Sequence, residues 1–250
     1  MLLQLLHRQN IMKLLSKCFL AGCVLLFSGV SSAGITLGGT RVVYQEKLKE
    51  TSIMVKNDGD KDIMVQSWID PAANVSEQDV PFALTPALSR LGASKQQSLR
   101  IFYAGKGLPA DKESVFWLSV QEIPQKSESD NTLQIAIRQR IKIFYRPTGL
   151  IGSEEESAKQ LKWQLIHESG KAWLVASNSS PFYISFGEVH LKQSGKRYTV
   201  QAEMIGPGAT LKFPVDSGGT LASKERFSVE YKAINDYGAP IAYVGEGAAG

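Results

Sequence analysis

Two basic residues stand inside segments that are otherwise β-rich. Arg41 lies in Gly-Gly-Thr-Arg-Val-Val-Tyr, and Lys142 lies in Arg-Ile-Lys-Ile-Phe-Tyr-Arg-Pro. A guanidinium fork and an ammonium together suit a carboxylate, because charge-assisted hydrogen bonds are stronger than neutral ones. The two residues are far apart in the chain, and spacing alone does not bring them together. As residues they stay open to two readings, ordinary surface charges or a paired site for an anion.

The second chemically unusual segment is Leu133–Tyr145, LQIAIRQRIKIFY. It is long for a strand. Leu133, Ile135 and Ile137 alternate with Gln134, Ala136 and Arg138, so one face is a row of branched apolar side chains. The pattern fits a half-buried strand of its own domain. It also fits an edge strand that offers this row to another chain, a use in which main-chain bonds give affinity and side chains fill pockets.

Little in the chain points to catalysis or metal binding. His167 and His190 are isolated, and there is no Gly-x-Ser-x-Gly elbow, phosphate loop or Gly-x-Gly-x-x-Gly. Both cysteines, Cys18 and Cys23, precede Gly34. No enzyme activity, cofactor or metal is expected. The acidic run Glu154-Glu155-Glu156 reads as a solvated loop.

Residues 1–33 have the makeup of a secretory signal peptide. Arg8, Lys13 and Lys17 precede the apolar run 18–30, which is too short to span a membrane, and Ser31-Ser32-Ala33 suits cleavage before Gly34. Met12 would start a more compact leader. Leu20-Ala21-Gly22-Cys23 resembles a lipoprotein box, but too few apolar residues precede it. The mature chain then has no cysteine and must be held by its cores. It contains no second apolar stretch of membrane-spanning length, so no stable membrane insertion is expected. Without the three leading cations, 25 basic residues face 24 acidic ones, which gives no reason to expect nucleic acid.

Period-two patterns dominate from Gly34 onward. Candidate strands are 35–44, 51–56, 62–70, 97–103, 114–122 and 133–145, then 160–166, 171–177, 183–191, 197–202, 210–215, 227–232 and 241–244. Turn clusters such as Asn57-Asp58-Gly59-Asp60 and Gly206-Pro207-Gly208 separate them. Two groups of short strands predict an all-β chain of two sandwiches. The expected boundaries are residues 34–147 for the first domain, 148–157 for a linker and 158–250 for the second.

With these elements in place, the chain resembles the PapD-like periplasmic chaperones of the chaperone–usher pilus pathway. The motifs that carry the likeness are LPADKESVFWLSVQEIP (108–124) and LQIAIRQRIKIFYRP (133–147). Smaller echoes are Thr40–Tyr44, Gln66–Ile69, Pro81–Leu91, Asn178–Tyr183 and Ile234–Gly238. The resemblance implies two immunoglobulin-like sandwiches set at an angle around a cleft, in the periplasm of a Gram-negative bacterium. It implies that Arg41 and Lys142 anchor the C-terminal carboxylate of a pilus subunit, and that Leu133, Ile135 and Ile137 complete the subunit's unfinished sandwich. It implies delivery to an outer-membrane usher, and an ion network of Glu113, Arg146 and Asp236 between the domains. The edge-strand reading also admits a self-dimer of the free protein.

The chain departs from relatives in lacking two second-domain cysteines, in the short connection 124–132 and in Pro86-Ala87, where many have Pro-Pro. The alternative is a self-contained immunoglobulin-like structural or adhesive surface protein, which would bury Leu133, Ile135 and Ile137 in its own domain.

Overall fold

The computed structural model describes residues 34–71, 80–125, 135–216, 221–222 and 225–248. The first nine strands are β1 (Ile35–Leu37), β2 (Arg41–Gln45), β3 (Thr51–Asn57), β4 (Ile63–Pro71), β5 (Phe82–Thr85), β6 (Leu88–Leu91), β7 (Gln96–Tyr103), β8 (Ser114–Ile123) and β9 (Arg138–Arg146). Among the described residues they form two sheets, ordered β1-β3-β7-β5 and β2-β9-β8-β4-β6. Their alternating inward side chains meet in one core that includes Tyr44, Val55, Leu99, Ile101, Leu118 and Ile143.

A helix, α1 (Glu154–Lys159), leads into the second group. Its strands are β10 (Lys162–Glu168), β11 (Lys171–Ser177), β12 (Ile184–Gln193), β13 (Lys196–Thr199), β14 (Met204–Ile205), β15 (Thr210–Val215), β16 (Arg226–Ile234) and β17 (Pro240–Ala248). They form sheets ordered β10-β11-β15 and β13-β12-β16-β17, with β14 beside β12. A separate core holds them, with Trp163, Leu165, Leu174, Ile184, Leu191 and Val229 buried. The architecture is therefore two β-sandwiches, as the alternating pattern predicts. Among the described residues no helix is long and apolar enough to cross a membrane.

Three local expectations are corrected. The single strand expected over 35–44 is two, β1 paired with β3 and β2 paired with β9 in the opposite sheet. Gly38 and Gly39 interrupt it, and the tight approach of Gly38 to Met54, whose carbonyl accepts its N–H at 2.8 Å, marks the crossing between layers. The strand expected from Leu133 begins at Arg138. Ile137 still accepts a bond from the Glu122 N–H at 2.9 Å, at the end of β8, and a strand cannot persist without a backbone partner. Leu133 lies outside the described residues.

The acidic run is not a solvated loop. Ser153 caps α1, its hydroxyl accepting from the Glu156 N–H at 3.2 Å, and the acidic first turn suits a helix N-terminus. Glu154, Ser157 and Ala158 are buried, so part of the segment read as linker packs with the second sandwich.

Candidate functional site

Arg41 opens β2, and β2 runs parallel to β9 with Arg41 opposite Lys142. The fold thus makes cross-strand neighbours of two cations that the sequence leaves far apart. Arg41 Nη1 donates to the Ile234 carbonyl at 2.7 Å, across the gap to the second sandwich. Its guanidinium carbon sits 5.4 Å from the centre of the Phe144 ring. Arg41 Nε is buried and has no hydrogen-bond acceptor.

Lys142 faces Trp117, its register partner on β8, with Nζ 5.5 Å from the ring centre. Arg140 covers the same ring at 4.5 Å, and Arg138 stands over Trp68 at 6.0 Å. These residues share the outer face of β9 because alternate side chains share a face. The sequence reading missed Trp117, Arg138 and Arg140. The parity of Arg138 and Arg140 with Lys142 is the signal that finds them, whereas Trp117 is found only through the register of β8 with β9.

Burial lowers the pKa of Arg41, against the opposing pull of Glu154, Asp236 and Glu113. Burial also lowers that of Lys142, helped by Arg41 and opposed by Glu203. Two partly desolvated cations side by side create a demand for an anion. The second sandwich supplies some of it. Glu154 is pushed up to about 7 by burial and by Asp236, with Arg41 and Arg146 pulling it back.

Upstream of Lys142 no strand lies on the β2 side of β9 among the described residues. Residues 138–141 pair with β8, and the Gln139 side-chain amide reaches the Ile35 carbonyl at 2.6 Å. Ile135 is 72% exposed and Ile137 37% exposed. Neither belongs to the core of the first sandwich.

Glu113, Arg146 and Asp236 meet between the sandwiches. Arg146 Nε donates to Glu113 Oε1 at 2.6 Å, while Nη1 and Nη2 donate to the two Asp236 carboxylate oxygens at 2.6 and 2.8 Å. The other Glu113 oxygen accepts from the Tyr183 N–H at 2.8 Å. Burial raises the pKa of Glu113, with Arg146 and the Tyr183 N–H opposing. Burial alone would lower that of Arg146, but Asp236 and Glu113 more than offset it.

Asp236 sits on a turn that the first domain grips again one residue pair further on. Gly238 has φ +83°, and a Cβ there would lie 2.4 Å from Thr40 Oγ1. His167 and His190 lie on separate strands, β10 and β12. Among the described residues no group of three or more His, Cys, Asp or Glu is placed to hold a metal ion. Two adjacent cations such as Arg41 and Lys142 can receive an anionic group.

Two family models match the chain. "Pili and flagellar-assembly chaperone, PapD N-terminal domain" covers residues 34–151, and "Pili assembly chaperone PapD, C-terminal domain" covers 156–244. The chain is 38% identical over 233 residues to the probable fimbrial chaperone YadV of Escherichia coli K12, covering 90% of this chain and 93% of that protein. It is 35% identical over 221 residues to the chaperone protein FimB/FhaD of Bordetella pertussis, covering 84% and 87%. The crystal structure of YadV superposes with a TM-score of 0.74, covering 86% of this chain and all of that one. The Salmonella enterica SafA pilin in complex with the SafB chaperone matches with a TM-score of 0.68 at 29% identity, covering 84% and 95%.

Proposed function

Because the chain belongs to the family of fimbrial chaperones of the chaperone–usher pathway, we propose that it holds pilus subunits by lending them a strand and anchoring their C-terminal carboxylate. The observation that carries this reading is the junction of β2 with β9. β2 begins at Arg41, opposite Lys142, and among the described residues no strand pairs with the same edge of β9 just upstream. A subunit strand added in line with β2 and parallel to β9 ends in front of the two cations. Its carboxylate then meets both charges, and its main chain pairs with residues 138–141.

Ile135 and Ile137, with Leu133 before them, enter the gap in the subunit's own sandwich. Each branched side chain contributes roughly 1.5–3 kcal/mol when fully buried. The exposure of Ile135 and Ile137 runs against the alternative of a self-contained surface protein, which needs them inside. The Glu113–Arg146–Asp236 network fixes the angle between the sandwiches more than it adds stability. The SafB relative, bound to a pilin, supports subunit binding.

The rest of the reading follows from this role. The chain is exported, loses residues 1–33, works in the periplasm and delivers subunits to an outer-membrane usher. When free, a second copy caps the same edge. No bond chemistry is involved. The test is co-export with a pilus subunit of the same host. Wild type should protect the subunit from proteolysis, and Arg41→Ala/Lys142→Ala should not, although it folds. Equal protection by both would overturn the anchoring role.

A further inference from the structure

Glu122 occupies a place that the pattern of β8 reserves for an apolar side chain. Phe116, Leu118 and Val120 point into the first core, and Glu122 is next in that row. It is only 9% exposed. Among the described residues no hydrogen bond or ion pair engages its carboxylate, and burial alone raises its pKa. A buried carboxylate without a partner is costly.

What it touches is the backbone of Gly34. A Cβ built on Gly34 would lie 1.8 Å from Glu122 Oε2 and 3.2 Å from Oε1. The Gly34 nitrogen is bonded to the same Cα, which brings it to at most about 4 Å from the carboxylate. Inside the longer chain that nitrogen is a neutral amide. Hydrolysis of the Ala33–Gly34 bond by a leader peptidase consumes one water, leaves a carboxylate on Ala33 and makes the Gly34 nitrogen an α-ammonium.

We propose that this α-ammonium is the missing counter-ion of Glu122, so that removal of residues 1–33 fastens β1 to β8. The inference rests on the export reading above. It gives the buried acid a partner that exists only after processing. It also reaches the client edge, because the Gly34 carbonyl accepts from the Asp58 N–H at 3.0 Å and the next carbonyl, of Ile35, holds Gln139 of β9. The same segment leads directly to Arg41. A chain that keeps its leader therefore has a looser β1 and a less ordered wall beside the strand it lends.

The test is a cycle of four proteins, each released from a fusion by a site-specific protease. Two begin at Gly34 and two at Ser32, and each start carries either Glu122 or Glu122→Gln. Starting at Ser32 moves the ammonium by up to about 7 Å. Thermal unfolding at neutral pH should show that this extension lowers the melting temperature by about 5 °C with Glu122 and by about 1 °C or less with Gln. If Glu122→Gln does not fold, Glu122→Leu replaces it with the same expectation. Equal shifts in both backgrounds would overturn the proposal. The intact mass of the exported protein reads the processing site independently. A start other than Gly34 overturns the export reading at that bond and the proposal with it, whereas a start at Gly34 with equal shifts overturns the proposal alone.

Discussion

Replacing Arg146 with alanine tests the physics of the junction between the sandwiches. The Glu113 side chain is 1% exposed, and that of Arg146 is 18% exposed. Removing the guanidinium leaves a buried carboxylate with only the Tyr183 N–H as donor. Breaking a buried pair from one side costs about 3–5 kcal/mol, and the partial exposure of Arg146 places this case near the lower end, about 3 kcal/mol. Asp236 is 35% exposed, so Asp236→Ala should cost only about 1 kcal/mol.

The pH dependence of the Arg146→Ala penalty has a definite sign. Glu113 already titrates above its ordinary range because of burial, while Arg146 pulls it down. Without Arg146 it titrates higher still. A carboxyl raised in the folded state binds its proton more tightly there than in the unfolded chain, so stability falls as pH rises from the unfolded value through the folded one. The penalty of Arg146→Ala should therefore be smaller at pH 5 than at pH 7.5. Urea unfolding followed by tryptophan fluorescence at both pH values reads it. A penalty independent of pH, or one no larger than that of Asp236→Ala, would refute the reasoning.

Ile135→Asp should leave the urea midpoint within about 0.5 kcal/mol of wild type, because the side chain is mostly in water, while subunit capture is lost. A large loss of stability would make Ile135 a core residue. Trp117→Leu should weaken capture several-fold by removing the ring under Lys142 and Arg140, and Trp117→Phe should restore most of it. Equal capture by the Leu and Phe variants would remove the ring from the account. Gly238→Ala should cost about 1–2 kcal/mol or more from its positive φ and its clash with Thr40. Adding Thr40→Ala should return part of that loss in the same unfolding assay.

Much of the fold was readable because period-two alternation has a direct physical cause. Phe116, Leu118 and Val120 face inward while Trp117, Ser119 and Gln121 do not line the same row, and that alternation alone announces β8. The break after Leu37 shows only as a change of phase across Gly38 and Gly39, from the odd inward positions Ile35 and Leu37 to the even ones Val42 and Tyr44, as the chain changes sheets. The helix at Glu154 was signalled by Ser153 followed three residues later by Glu156, a capping pattern that a reading of charge alone passes over. The start of β9 was hidden for a different reason. The ladder with β8 runs out at Arg138 opposite Gln121, before β8 itself ends at Ile123, and nothing in the spacing of 133–145 marks that point.

The site divides in the same way. Arg41 and Lys142 stood out as cations in β-rich sequence, but their adjacency is a matter of register, which the chain does not print. Arg140 could be found once Lys142 was given a face, whereas Trp117 also needed the register of β8 with β9. Glu154 and Glu203 reach the cations only through the packing of the second sandwich, and no spacing in the sequence announces that. Glu122 was visible as an acid in an apolar row. Its contact with Gly34 needed the three-dimensional path of β1.

The most direct test of the central claim is a titration with a peptide of the last residues of a pilus subunit from the same host. It is made twice, with a free C-terminal carboxylate and with an amide, and each is added to wild type and to Arg41→Ala/Lys142→Ala. Isothermal calorimetry should show the free acid binding wild type at least about tenfold more tightly than the amide, about 1.4 kcal/mol. That preference should vanish in the double variant. Equal affinity of acid and amide for wild type would contradict the anchoring of a chain end by Arg41 and Lys142.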